Sequence, residues 1–271
     1  MGKQQLYSDF NYLEFEIWRG PAGKVFYAPY NYTRNYHLEM NYWNPVAVQL
    51  FFAKHWSTSV YIAIAYIFLI HVLQRYQRTR KAWNLRLPLC LWNATLSIFS
   101  LIATIRFGEE FYNTLTTRPF LHSVCYSISP FQPAAVWAFA FAISKFIELG
   151  DTIFLLLRKK ALIFLHWSMV YYDEFFVHSI MYAYYSITAW GIRLPKLLSM
   201  CVTVLQTSQM LIGVSISILA LKQKLKNAIC QQSMDNLALG FAIYSSFAVL
   251  FIRYFYDAYM RPKKFLQKKI E

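Results

Sequence analysis

Apolar runs long enough to cross a bilayer recur along this chain, and short basic clusters separate them. Residues 57–73, 87–105, 134–157, 197–221 and 237–255 each read as a span, near or above the roughly 20 residues a helix needs to traverse hydrocarbon. Lipid cannot satisfy backbone N–H and C=O groups, so each run must close its own hydrogen bonds as helix. The pattern predicts an all-α polytopic membrane protein. Composition agrees, with 57% hydrophobic, 19% aromatic and only 15% charged residues, where soluble domains carry about 25% charge. The 271 residues read as a single domain: an aromatic interfacial arm over 1–55, a transmembrane region over 57–255 and a basic tail over 256–271.

The formal charge of +14 does not point to nucleic acid. Its basic residues flank the apolar runs, as cytoplasmic loops do, and leave positive surface for lipid headgroups or an anionic soluble substrate. Arg75, Arg78, Arg80, Lys81 and Arg86 follow the first span, which places the arm on the luminal side. There Asn31-Tyr32-Thr33 is an N-glycosylation acceptor; Asn93-Ala94-Thr95 has the same form but lies inside an apolar run. The first 50 residues show no cleavable h-region. Residues 161–190 are harder to place. Thirty residues of helix measure about 45 Å, enough for one tilted span but not two. One crossing gives six spans, with both termini in the lumen. That places Arg261, Lys263, Lys264, Lys268 and Lys269 on the side the charge rule disfavours. Cys90 and Cys201 read as small hydrophobes. Cys125 and Cys230 lie in loops and pair only if both face an oxidising lumen. The four cysteines show no metal-ligand spacing.

Ionisable groups at bilayer depth are costly and mark function. Lys145, Glu148 and Asp151 recur at spacing three, with Thr152 four beyond Glu148, so a helix shows them on one broad face. They form either an interhelical clamp or a device that positions water, a histidine or a phosphate-bearing ligand. His166 and His178 are twelve residues apart, about 18 Å on one continuous helix; they share a proton only if the chain breaks near Asp173. Each is either a structural hydrogen-bonder or a general base. His178, Met181, Tyr182 and Tyr185 follow the three-four rule, with Tyr184 shifted round the helix. They read as packed aromatic helix or as a polar cavity lining. Thr203, Gln206 and Gln209 repeat at spacing three and either join helices or line a cavity. Walker, Gly-x-Ser-x-Gly, His-Glu-x-x-His and dinucleotide motifs are absent. The chain ends Lys268-Lys269-Ile270-Glu271, a dilysine form that directs retrieval to the endoplasmic reticulum when cytosolic.

Taken together, these residues resemble the very-long-chain fatty acid elongase family from about residue 40 onward. The Lys-x-x-Glu-x-x-Asp-Thr box is Lys145, Glu148, Asp151 and Thr152. Leu157 to Trp167 match the Leu-Arg-Lys and Leu-His-Trp phrases. The His-x-x-Met-Tyr-x-Tyr-Tyr box is His178, Met181, Tyr182, Tyr184 and Tyr185. The Thr-x-x-Gln-x-x-Gln box is Thr203, Gln206 and Gln209. The wording Glu148-Leu149-Gly150-Asp151-Thr152 resembles the branch that extends saturated and monounsaturated chains. The resemblance implies seven transmembrane helices, six of them round an acyl tunnel, in the endoplasmic reticulum membrane. It implies a 3-oxoacyl-CoA synthase that condenses malonyl-CoA with a long-chain acyl-CoA and needs no cofactor or metal. A histidine would take the acyl group, and the other boxes would stabilise the enolate and hold CoA. Membrane lipids, elongation-cycle enzymes and a second copy of the chain are the implied partners.

The chain departs from the family in one place. The family's box is His-x-x-His-His, whereas His166 is followed by Trp167, Ser168, Met169 and Val170. Between His166 and His178 roughly twenty residues are missing, the length of one spanning helix. Glu174 stands where the family usually has Asn. Restoring a span gives seven and returns the tail to the cytosol, so the charge pattern belongs to a seven-helix ancestor while the sequence holds about six spans. The chain is then an elongase, or an inactive lipid-binding or regulatory relative, or the product of an incomplete gene model. A transporter is disfavoured, because internal repeats are not evident.

Overall fold

The computed structural model describes residues 16–20, 23–27, 30–34, 36–41, 43–55, 57–159, 175–228 and 230–261. His166, Trp167, Asp173, Glu174, Lys268 and Lys269 lie outside the described residues. In the described part of the arm, β1 (Glu16–Gly20) pairs antiparallel with β2 (Gly23–Tyr27), with Glu16 opposite Tyr27 and Gly20 opposite Gly23. The β-branched and aromatic residues Ile17, Trp18, Val25 and Phe26 suit strands. Helices α1 (His37–Met40) and α2 (Pro45–His55) follow.

Among the described residues four helices are long and apolar enough to cross a membrane. They are α3 (Thr58–Arg78), α4 (Arg86–Thr117), α9 (Lys196–Leu225) and α10 (Met234–Phe255), the last extended by a π-turn over Tyr256–Met260. Between them lie α5 (Phe120–Cys125), α6 (Pro133–Glu148), α7 (Gly150–Leu157) and α8 (Phe175–Trp190). Local chemistry sets several ends. Pro133 opens α6 at a position where its missing N–H costs nothing. Ser233 caps α10, its side chain accepting from Asn236 N at 3.2 Å. Gly191 (φ 107°) and Asn227 (φ 56°) follow α8 and α9 in the left-handed region.

Two sequence expectations need correction here. Residues 134–157 are not one uninterrupted helix, because the ladder is interrupted between α6 and α7. Leu149 keeps right-handed helical angles (φ −56°, ψ −24°), and its carbonyl accepts from Tyr66 Oη on α3 at 3.0 Å. The second span does not end at 105, since α4 continues twelve residues further. Its charged extension is paired by the arm. Arg106 makes a bidentate pair with Glu39, Nη2 to Oε2 at 2.6 Å and Nε to Oε1 at 2.8 Å. Trp137 Nε1 donates to the same Glu39 Oε1 at 2.8 Å, and Tyr32 Oη donates to Glu110 at 2.9 Å. Burial pushes the Glu39 carboxyl up; the hydrogen bonds from Arg106 and Trp137 and the Arg106 charge outweigh it and hold the group below the ordinary glutamate value.

The direction of α8 settles how the bundle is threaded. Ser97 Oγ on α4 donates to Ser179 O at 2.8 Å, and Ser186 Oγ donates to Cys90 O at 3.1 Å. α8 therefore runs antiparallel to α4, with small polar residues joining the two helices. Phe175 packs on Phe141 at 4.3 Å between ring centroids, and Tyr182 reaches Asp151 further along, so α8 is parallel to α6 and α7. Trp190 lies at the same end as Arg86 and Leu157. A single helical crossing of 161–190 starting from Lys159 would deliver Trp190 to the opposite end, whereas α8 ends beside Arg86 and Leu157. α9 runs from this end towards Cys125, where Ala220 packs, and α10 returns, bringing Tyr259 to Ser199 at 2.8 Å.

One end of the bundle thus carries Arg75, Arg78, Arg80, Lys81, Arg86, Arg158, Lys159, Arg193, Lys196 and Arg261. The other carries a disulfide between Cys125 and Cys230. Lys222, Lys224 and Lys226 close α9 at the disulfide end, so the charge rule favours the other end as cytoplasmic only by its larger number of basic residues, while the disulfide calls for a compartment that oxidises thiols. Cys125 closes α5 instead of sitting in a loop, and it pairs with Cys230.

In sealed microsomes, a tag after Glu271 should be digested by added protease, while one inserted after Ser127 should be protected; the reverse pattern contradicts this threading. Glu39 supplies a second prediction. Its folded-state pKa is depressed, so its contribution is complete above the ordinary glutamate value and lost as pH falls through the folded one. Hydrogen exchange of residues 30–44 in detergent should rise only in that acid range, and Arg106→Leu should raise it at neutral pH, breaking a buried pair at a cost of about 3–5 kcal/mol.

Candidate active site

Helices α6, α7 and α8 bring the first and second polar boxes face to face, with α4 behind them. Lys145 Nζ lies 3.2 Å from Glu148 Oε2 and 3.4 Å from His178 Nδ1. His178 Nδ1 is 3.6 Å from the same Glu148 oxygen. The imidazole tautomer decides whether Nδ1 accepts from the ammonium or donates to the carboxylate. Glu148 Oε1 accepts from Ser144 Oγ at 3.1 Å. Lys145 Nζ also sits 4.2 Å from the centroid of the Phe141 ring, a cation–π contact. Among the described residues an ammonium, a carboxylate and an imidazole thus meet inside an apolar bundle, where intramembrane ionisable groups pair with one another.

Asp151 forms a second polar group beside the first. Its Oδ1 accepts from Trp92 Nε1 on α4 at 2.6 Å, and its Oδ2 accepts from Tyr182 Oη on α8 at 2.9 Å. Tyr182 is 1% exposed, as is Thr152. The His178 and Tyr182 rings meet edge to face at 5.6 Å, which joins the two groups into one site. The Trp92 indole occupies the space a side chain at 150 would need; a Cβ there would lie 2.8 Å from its Cζ2. Gly150 is required because Trp92 must pass this close to reach Asp151.

The third box meets the site at its edge. Gln206 Nε2 donates to Met181 Sδ at 2.9 Å. Thr203 Oγ1 donates to Ser199 O at 3.0 Å and lies 3.4 Å from Tyr259 Oη, facing α10. Gln209 is buried, and its Nε2 has no hydrogen-bond partner among the described residues. Tyr185 stands apart: it is 40% exposed, and its ring packs edge-on to Tyr184. Among the described residues no cluster of histidine, cysteine and acidic groups could hold a metal ion. Asn31 is exposed on the arm.

Sequence reasoning passed over Trp92, Ser144 and Tyr66. Trp92 and Tyr66 reach partners far along the chain, and Ser144 alone is close in sequence to its partners. The available signal for Trp92 was that a buried indole N–H needs an acceptor, and carboxylates are few in this chain.

The family model described as "ELO: GNS1/SUR4 family" matches residues 51–173 and 168–267. "Putative fatty acid elongase 4" of Caenorhabditis elegans is 40% identical over 282 aligned positions, covering 94% of each chain. "Very long chain fatty acid elongase 3" of Homo sapiens is 36% identical over 235 positions, 79% of this chain and 87% of the relative. "Very long chain fatty acid elongase 6" of Mus musculus is 32% identical over 254 positions, 85% of this chain and 95% of the relative. Since 94% of 271 residues is about 255, the first alignment leaves about 27 positions with no residue from this chain.

Gly150→Ala should push the Trp92 ring off Asp151 and lower stability by about 1–3 kcal/mol, as overpacking does. Thermal unfolding in detergent checks this. The double variant with Trp92→Phe should cost less than the two single changes added together, since both act on one contact.

Proposed function

The chain belongs to the ELO, GNS1/SUR4 family, and we propose that its intramembrane site is built for the condensing step of fatty acid elongation. The observation that carries this reading is the convergence of Lys145, Glu148 and His178 within 3.6 Å. In this scheme an imidazole nitrogen attacks the acyl-CoA thioester, the C–S bond breaks, and CoA leaves with a proton. Malonyl-CoA loses carbon dioxide, and the resulting enolate carbon attacks the acyl carbonyl as the C–N bond breaks and the departing imidazole takes up a proton from solvent. The product is a 3-oxoacyl-CoA two carbons longer. His178, addressed by Lys145 and Glu148, is the residue that would attack. Lys145 would stabilise negative charge on the enolate oxygen, and Asp151 would hold Tyr182 in place. Gln206 and Met181 would border the acyl chain, with Thr152, Tyr185, Thr203 and Gln209 as further substrate contacts. The basic end of the bundle suits the phosphates of CoA. The Glu148–Thr152 wording supports a saturated or monounsaturated acyl substrate, and the family resemblance supports the endoplasmic reticulum membrane.

A second reading has its own observation. No histidine follows His166 before His178, and the alignments run longer than the part of this chain they cover. On this reading the chain binds acyl-CoA but turns it over far more slowly than an elongase with the full His-x-x-His-His box.

The purified protein in detergent, given malonyl-CoA and a saturated long-chain acyl-CoA, distinguishes the two. Lengthened product that falls about 100-fold or more with His178→Ala supports condensation through His178. Saturable acyl-CoA binding with no lengthened product supports the second reading. Absence of both binding and product refutes a lipid-acyl site at these residues.

A further inference from the structure

We propose that Asn31 carries an N-linked glycan on the disulfide-bearing face of the protein. The acceptor triplet Asn31-Tyr32-Thr33 lies outside helix and strand. Tyr32 is buried against Glu110 and Ala134 N, Tyr30 reaches Glu109 and is partly buried, and Thr33 N and Oγ1 both donate to Glu109 Oε1 at 2.7 Å. These anchors hold the stretch while Asn31 stays exposed. A bulky polar glycan needs such a position. The same stretch is fastened to the end that carries the Cys125–Cys230 bond: Trp43 Nε1 donates to Pro130 O at 2.7 Å, and Gln132 donates to Tyr30 O. Sugar transfer and disulfide formation therefore call for the same compartment, and the bond assigns that compartment to the arm.

The chain's other acceptor triplet is an internal contrast. Asn93 is 4% exposed, lies inside α4, and donates from Nδ2 to Leu89 O at 2.7 Å. Its amide is sequestered at bilayer depth. In the transfer, Asn31 Nδ2 bonds to C1 of the sugar of a lipid-pyrophosphate-linked oligosaccharide. The C1–O bond to pyrophosphate breaks, and one amide proton is lost as the lipid pyrophosphate departs.

The test uses the full chain made in glycosylation-competent microsomes. Peptide-N-glycosidase treatment should increase electrophoretic mobility by one step. Asn31→Gln should abolish that step, and Thr33→Ser, which keeps an acceptor triplet, should retain it. Thr95→Ala, which destroys only the second triplet at an exposed side chain, should leave it unchanged. No mobility change in the unmodified chain overturns the proposal. So does a step that survives Asn31→Gln or disappears with Thr95→Ala.

Discussion

A carboxylate inside an apolar bundle persists only if donors reach it, and Asp151 is reached from two helices at once. Trp92 comes from α4 and Tyr182 from α8, with heavy-atom distances of 2.6 and 2.9 Å. This one group therefore fixes the spacing of three helices. It explains why residue 150 has no side chain, why Tyr182 is among the most buried residues, and why α8 lies parallel to α7. The Lys145, Glu148 and His178 cluster sits one turn away and inherits its position from that arrangement. Charge in lipid is costly, and here that cost is offset by bonds that also define the site.

The apolar runs were legible because each is a local property: twenty or so residues of one kind predict helix whatever packs beside them. The boxes were legible because residues at spacing three or four share a helix face. What escaped the sequence was distant pairing. Arg106, Glu109 and Glu110 read as the end of a span because charges normally stop one. Only their partners in the arm, with Glu39 sitting 67 residues from Arg106, let α4 continue through them. Cys125 and Cys230 are 105 residues apart, and their pairing depends on the sidedness of two loops.

The threading of α8 was the subtlest case. Length alone allows residues 161–190 one crossing, and parity then sends the basic tail to the wrong side. The positive-inside pattern argued otherwise and agreed with the direction that Ser97 and Ser186 impose on α8. The direction of α8 depends on contacts that the length of one segment does not encode. The site residues divided in the same way. Those within one box fell together because a helix carries them, whereas Tyr185 and Thr203, on matching faces, met different surroundings because their neighbours come from other helices.

The Cys125–Cys230 bond has a mechanical consequence. It ties the end of α5 to the loop between α9 and α10, so the bundle is closed covalently at that pole. At the opposite pole the helices are held by packing and by hydrogen bonds such as Gln77 to Leu157 and Ser199 to Tyr259. Any separation of the helices that leaves the bond intact is therefore freer at the opposite pole than at the oxidised one.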